Sequence, residues 1–234
     1  MFYGLPFRFD PTWLILIPGI LLAIYAQARV NGAFNRYSQI RSSSGWTGAS
    51  AARRMLDENG LYDVPVQPAQ GRLSDHYDPR KRTLNLSQGV HDSASLAALG
   101  VAAHEVGHAV QHSRRYAPMA LRQALVPAAN IGSYAAWPLL IAGLLLGMPL
   151  LVDIGIAVFG IAVLFQLITL PVEYNASRRG LELLKDGGFL QEEEVAGARK
   201  VLSAAALTYL SAMLMAVLQL LRLILIANGG RRRD

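Results

Sequence analysis

Residues 103–112 read AHEVGHAVQH, and the rest of the chain is interpreted around this stretch. It contains the pattern H-E-x-x-H, which on a helix is typical of zinc-dependent peptidases. Helix positions four residues apart share one face, about 6 Å apart along the axis, so His104 and His108 can direct their imidazoles at one zinc ion. Glu105 lies about 100° around the helix from His104, where a general base can reach a water activated by the metal. The apolar run at residues 96–103 predicts a buried helix, in which unpaired polar groups would be costly.

A third histidine in the stretch does not fit as a ligand of the same ion. His112 lies eight residues after His104, which is about 12 Å along a continuous helix and too far to share one metal. No glycine interrupts the helix between His108 and His112. We therefore interpret His112 as a residue behind the ligands or on the helix face, and expect the third ligand elsewhere.

The composition is that of a membrane protein with a modest polar domain. The chain has 234 residues, of which 53% are hydrophobic and 16% are charged, too apolar a balance for an ordinary soluble domain. It has no cysteine, which excludes disulfides, cysteine-ligated zinc and a thiol nucleophile. The net charge is +6, but many arginines border apolar segments. This placement favours membrane-flanking anchors, and we expect no nucleic-acid partner.

Four apolar segments are candidates for crossing a lipid bilayer. Residues 13–28 are expected to form a retained transmembrane helix, and residues 127–147 and 150–170 form a transmembrane hairpin because only a short turn separates them. Residues 202–227 contain Arg222, so this segment either crosses the bilayer with the arginine snorkelling to the surface or packs along the membrane.

The predicted fold is a mostly α membrane protein with three to four transmembrane helices and a small α+β zincin-like catalytic domain. Residues 64–66 and 82–87 read as a short strand pair, with a turn over residues 75–81. An exposed edge strand there could hold an extended peptide, although a purely structural hairpin fits the same pattern. The predicted divisions are residues 1–30 (N-terminal transmembrane helix), 31–126 (catalytic domain), 127–171 (transmembrane hairpin), 172–200 (third-ligand helix and soluble segment) and 201–234 (C-terminal apolar helix and basic tail).

Glu173 is the candidate for the third metal ligand. It follows the predicted hairpin, which returns the chain to the membrane face that holds the H-E-x-x-H helix. A carboxylate at a membrane boundary needs a partner, and a site with two histidines needs one carboxylate. The alternative is an interfacial ion pair with Arg178 or Arg179.

Three stretches together resemble the YugP-like neutral zinc metallopeptidases of bacterial membranes: residues 75–80 (DHYDPR), 98–111 (ALGVAAHEVGHAVQ) and 171–179 (PVEYNASRR). The resemblance covers nearly the whole chain. More distantly, the chain is similar to the HtpX-type and CAAX prenyl endopeptidases. Those families share the order of H-E-x-x-H helix, transmembrane hairpin and ligand glutamate.

The resemblance implies one zinc ion held by His104, His108 and Glu173, with Glu105 as the catalytic acid–base. The distant relatives carry an aspartate four residues after the ligand glutamate, where this chain has Ser177. Because a serine orients an imidazole only weakly, Asn175 is an alternative for part of that role. Arg178 and His112 are further candidates for contacts with the ligands or with substrate.

The function expected from these features is that of a gluzincin-like, membrane-embedded zinc metalloendopeptidase. A zinc-activated water would hydrolyse the peptide bond with Glu105 as general base, on membrane or membrane-proximal polypeptides. Two alternatives stay open: an intramembrane site-2-type protease, whose active-site helix would span the bilayer from near Ser93, and a non-catalytic zinc-binding scaffold. The sequence carries no signal for an oligomeric state. The candidates for an oxyanion donor are His91, Tyr116, Tyr174 and Arg178.

The distribution of basic residues predicts the orientation in a bacterial inner (plasma) membrane. Most arginines close to the apolar spans lie on the side of the H-E-x-x-H helix, so the positive-inside rule predicts a multi-pass protein with a cytoplasmic catalytic domain. Arg8 lies on the opposite side. If the last helix spans, the arginines at 231–233 would lie on the same side as Arg8. Because the positive-inside rule disfavours that placement, these arginines argue against a spanning last helix.

Overall fold

A computed structural model describes residues 11–71 and 73–231 of the chain. Arg8, Arg232 and Arg233, which entered the orientation argument, lie outside the described residues. A 3₁₀ turn over Pro11–Leu16 comes first. The helices are α1 (Ile17–Tyr37), α2 (Gly48–Glu58), α3 (Gln88–His91), α4 (Leu96–Ser113), α5 (Ala117–Leu145), α6 (Pro149–Asp186) and α7 (Glu192–Arg231), and the strands are β1 (Val66–Ala69), β2 (His76–Asp78) and β3 (Thr83–Ser87).

Within the described residues, four helices are long and apolar enough to cross a membrane: α1 with its preceding 3₁₀ turn, α5, α6 and α7. Their apolar windows are mostly exposed on the protein surface, as expected of helices whose surroundings are lipid. The fold class predicted from the sequence is confirmed: the chain is a mostly α membrane protein with a small α+β domain. The number of candidate spans is the upper of the two predicted values.

The membrane helices continue well beyond their apolar segments. Helix α6 is unbroken from the bilayer segment through Glu173 to Asp186, so the second arm of the hairpin carries the third-ligand candidate directly. Helix α7 likewise joins the acidic first turn at Glu192 to the last apolar span. Unbroken helices keep the backbone N–H and C=O groups paired where the chain leaves the bilayer, although Pro171 removes one donor from α6.

Arg222 does not snorkel from the last helix. Its side chain is buried, its Nε donates to Thr12 Oγ1 over 3.1 Å, and its guanidinium lies 3.9 Å from the centre of the Trp13 ring. Both partners belong to the N-terminal 3₁₀ turn, so the charge is satisfied by a neighbouring element within the protein.

The polar domain contains a three-stranded sheet with strand order β1-β3-β2. Strands β1 and β3 are parallel, whereas β2 and β3 are antiparallel. The sequence predicted only a strand pair, and the additional strand, His76–Asp78, lies inside the segment predicted as a turn. Three residues are too few to show an alternating pattern. Strand β1 also begins two residues later than predicted, at Val66.

Helix α4 is the centre of the polar domain and is buried along nearly its whole length. The Ser95 side chain caps it by accepting a hydrogen bond from Ala98 N over 3.2 Å, a role that serine favours at helix N-termini. Helices α2, α6 and α7 and strand β3 pack around it. It is not among the four candidate spans of the described residues, which weighs against the site-2-type alternative.

Candidate metal centre

The two histidines of α4 and Glu173 of α6 meet at one point. His104 Nε2 lies 3.2 Å and His108 Nε2 lies 3.3 Å from Glu173 Oε2. The imidazole rings are nearly perpendicular, at 84°. One potential ligand atom from each residue lies within 4.8 Å of the other two. The helix periodicity predicted the histidine pair, and the structure brings the candidate carboxylate, Glu173, beside that pair.

A close crossing of α4 and α6 brings Glu173 to the histidines. A methyl group at Gly107 would lie only 2.5 Å from the backbone oxygen of Ala176, and one at Gly180 would lie 2.7 Å from that of Ala103. Any larger residue at either glycine would push the two backbones apart. Both crossing points therefore require glycine, and the ligand candidates are brought together by helix packing.

The donor set fits a zinc ion. Two imidazole nitrogens and one carboxylate oxygen form a common catalytic zinc site, which leaves a position for water or substrate. The outer ring nitrogens face other groups: His104 Nδ1 lies 3.0 Å from Ser177 Oγ, and His108 Nδ1 lies 3.0 Å from Gln111 Oε1. Burial disfavours protonation of His108, but its hydrogen bonds with Glu173 and Gln111 and the negative charges of Glu173 and Glu105 together outweigh burial and raise its pKa. A cation between these groups would take the place of that proton.

Gln111 fixes the direction of His108, and the sequence reasoning missed it. Its side chain is fully buried, and its Nε2 donates to Val172 O over 2.8 Å and to Asn175 Oδ1 over 2.9 Å. With both N–H groups used, Oε1 must accept a hydrogen bond from His108 Nδ1–H. In the neutral ring, which binds a metal, the lone pair of His108 is then on Nε2, on the side of Glu173. A polar residue three positions after His108 in an apolar helix was the available signal.

Asn175 and Ser177 both lie close to the ligands but contact different groups. Ser177 reaches His104 directly, at the position where the distant relatives carry an aspartate. Asn175 acts one step further back, because its Oδ1 accepts hydrogen bonds from Gln111 and, over 2.7 Å, from Arg179 Nε. The proposed orienting roles are thus divided between the two histidines.

Glu105 is buried and its direction is set by the sheet. Its Oε2 accepts a hydrogen bond from the backbone N–H of Tyr77 in β2 over 2.9 Å. Glu105, His104 and Tyr209 of α7 line the same cleft, which has a volume of about 150 Å³. Tyr209 also interacts with the Glu173 carboxylate, and no motif pointed to it.

The alternative prediction, an ion pair of Glu173 with Arg178 or Arg179, is wrong. Arg178 is exposed and lies 3.8 Å from Glu182, and Arg179 bonds to Asn175. The cation near Glu173 is instead Arg122 of α5, whose Nη2 lies 3.8 Å from Oε1. No sequence pattern linked Arg122 to Glu173, because the hairpin separates the two residues along the chain.

The remaining candidates lie away from the three ligand atoms. His112 pairs through Nδ1 with the Tyr77 hydroxyl over 2.9 Å, and burial, followed by the charge of Arg82, lowers its pKa. It lies behind the ligands, as the helix geometry predicted. The other predicted donors face other surroundings in the described structure: His91 pairs with Asp92, Tyr116 lines a pocket beside His112, and Tyr174 and Arg178 line a groove between α6 and α7.

Comparison with known proteins gives one family and one curated relative. Residues 12–228 match the family model described as "Putative neutral zinc metallopeptidase". The chain is 48% identical over 217 residues to "Putative membrane protease YugP" of Bacillus subtilis (strain 168), which covers 93% of this chain and 96% of the relative. No solved structure matches the chain. Because the model and the relative both extend over nearly the whole length, the chain belongs to this family of neutral zinc metallopeptidases.

Proposed function

We propose that the chain is a membrane-embedded zinc metalloendopeptidase that hydrolyses peptide bonds in membrane or membrane-proximal polypeptides. The observation that carries the proposal is the convergence of His104, His108 and Glu173, with one potential ligand atom from each within 4.8 Å of the others. Glu173 lies 65 positions after His108 in the sequence. The family match and the name of the Bacillus relative support the same class of activity.

In the proposed site, His104, His108 and Glu173 hold one zinc ion. Zinc in such a ligand set supplies Lewis acidity, which lowers the pKa of water and polarises a carbonyl oxygen. Ser177 and Gln111 hold the outer ring nitrogens, so both imidazoles keep their direction when a ligand enters. Arg122 adds a positive charge beside Glu173 and reduces the cost of burying its carboxylate.

Glu105 is the proposed general base and acid. Its carboxylate would take the proton of the attacking water and deliver it to the amine that leaves the cleaved bond. The Tyr77 amide holds one carboxylate oxygen, which limits rotation of the side chain beside His104. The Tyr77 amide points away from β3, and its bond to Glu105 makes it unavailable to an added substrate strand. The outer edge of β2 therefore has fewer free backbone donors for a substrate than the sequence suggested.

The proposed location is the bacterial inner membrane, with the metal centre on the cytoplasmic side. The arginines beside α1, α5 and α6 on the side of the polar domain support this orientation through the positive-inside rule. The polar domain and the ligand-bearing part of α6 lie on that same side. Substrates would then approach from the cytoplasm or from the cytoplasmic half of the bilayer.

The proposal is tested by measuring zinc and hydrolysis in the same preparations. An unfolded casein-like protein is the substrate, and bound zinc is measured by mass spectrometry of the metal. We expect Glu105→Gln to keep stoichiometric zinc and lose hydrolysis, and Glu173→Ala to lose both. A chelator should abolish wild-type hydrolysis, and added zinc should restore it.

Three results would contradict parts of the proposal. Normal turnover by Glu105→Gln would remove this residue from the role of base. Stoichiometric zinc in Glu173→Ala would show that another residue completes the ligand set. Zinc binding without any hydrolysis by the wild-type protein would favour the non-catalytic scaffold.

A further inference from the structure

A groove lies between the part of α6 that follows Glu173 and the first part of α7. It has a volume of about 430 Å³. Its apolar lining comes from Leu181 of α6 and from Val195 and Leu202 of α7. A groove of this size accommodates a few side chains of an extended polypeptide.

The groove adjoins the cleft beside the candidate metal centre. Ser177, Leu202 and Ala206 line both the groove and the cleft that contains His104 and Glu105. Ser177 also lies 3.0 Å from His104 Nδ1 through its hydroxyl. A chain that occupies the groove would therefore pass directly to the residues proposed to act on the peptide bond.

The polar lining of the groove carries an excess of positive charge. Three cations line it, Arg178, Lys185 and Arg199, against one anion, Glu182. Lys185 pairs with Glu192 over 3.3 Å, and the Arg178–Glu182 pair is loose at 3.8 Å. Within the described residues, no ion pair within 4.0 Å involves Arg199. This arginine is the cation most available to a ligand.

We infer that the groove binds the substrate polypeptide on one side of the bond to be cleaved and selects an acidic residue there through Arg199 and Arg178. Apolar side chains of the substrate would contact Leu181 and Leu202, while a carboxylate would meet the cationic lining. The inference rests on the proposed peptidase function. A polypeptide is favoured over an anionic lipid headgroup because the groove adjoins the cleft that contains Glu105 and His104, and a headgroup bound in the groove would block the path of a substrate to that cleft.

Binding, measured separately from hydrolysis, tests the inference. The zinc-loaded Glu105→Gln protein is placed in phosphatidylcholine nanodiscs. The probes are short fluorescent peptides of Leu and Ala in which one Glu is moved along the sequence, together with the same set carrying Gln. Fluorescence anisotropy gives a Kd for each peptide. We expect Glu to tighten binding at one position or two neighbouring ones, by about threefold to fivefold, as for a partly exposed ion pair.

Variants identify the groove as the source of the preference. Arg199→Gln should weaken the preference for Glu, because Arg178 remains in the groove, and Arg199→Glu should reverse it in favour of Lys at the same position. The matched control is Lys200→Gln, which removes an equal charge from the neighbouring, exposed position outside the groove lining. Zinc content and the melting temperature show that each variant is folded.

The outcomes separate the inference from the proposed function. An equal preference for Glu in the parent and in Arg199→Gln, or no preference in either, overturns the inference. Weaker binding of Glu and Gln peptides alike, seen only when phosphatidylglycerol is added, would show that the groove binds a lipid headgroup. This result would also overturn the inference. A wild-type protein that binds these peptides through Arg199 but never cleaves them would contradict the peptidase function alone.

Discussion

Replacing Gln111 by leucine should weaken zinc binding strongly while the fold persists. Gln111 is fully buried, and its Oε1 is the acceptor of the His108 Nδ1–H group. Leucine has a similar volume but no acceptor, so the buried N–H of His108 would lose its partner. Leaving a buried donor unpaired costs about 1–3 kcal/mol, and loss of a residue that orients a metal ligand lowers metal affinity about 10–100-fold. The energy range and the affinity range agree, because a free-energy cost of 1.4 kcal/mol corresponds to about a tenfold change in Kd.

The assay is competition for zinc with a chromophoric chelator, combined with thermal unfolding at fixed free zinc. A tenfold higher Kd reduces the stabilisation by excess zinc by about 1.4 kcal/mol. Asn175→Ala is the matched comparison, because it removes a partner of Gln111 but keeps the bond to His108. We expect a smaller loss of affinity for Asn175→Ala. Equal zinc affinities for wild type and Gln111→Leu would refute the argument that this bond fixes the imidazole.

Two further predictions concern the helix crossing and the membrane topology. Gly107→Ala should force α4 and α6 apart, destabilise the protein by about 1–3 kcal/mol and lower its zinc content. The exposed Gly89→Ala, where an added methyl meets nothing within 4 Å, should leave the zinc content unchanged, and equal metal contents in the two variants would contradict the packing argument. The chain has no cysteine, so single cysteines introduced at Ser93 and Ser113 can report on the two ends of α4. A membrane-impermeant thiol reagent should reach both cysteines from the cytoplasmic side only. Labelling of the two positions from opposite sides would show that α4 spans the membrane.

The part of the site that lies on one helix could be predicted from the sequence. His104 and His108 share a face because the helix repeats every 3.6 residues, and this relation needs no other part of the chain. The apolar spans follow from composition in the same way, and the serine that caps α4 follows from local backbone chemistry. The sequence also made Glu173 a candidate, since a hairpin must return the chain to its starting face.

The contacts between elements were decided by the tertiary structure. Gln111 became the acceptor for His108 only when α6 brought Val172 to its amide group, and Arg122 became the cation near Glu173 only through the packing of α5 against α6. Strand β2 is too short to produce a pattern, but its Tyr77 amide holds Glu105.

The sequence by itself therefore determined the histidine pair and the membrane-spanning character of the chain, because both depend on residues close together in sequence. The tertiary structure decided which distant groups complete the site. Those groups meet because Gly107 and Gly180 allow the backbones of α4 and α6 to come into direct contact. The separation of the two backbones depends on the packing of both helices, and no local sequence pattern in either helix determines it.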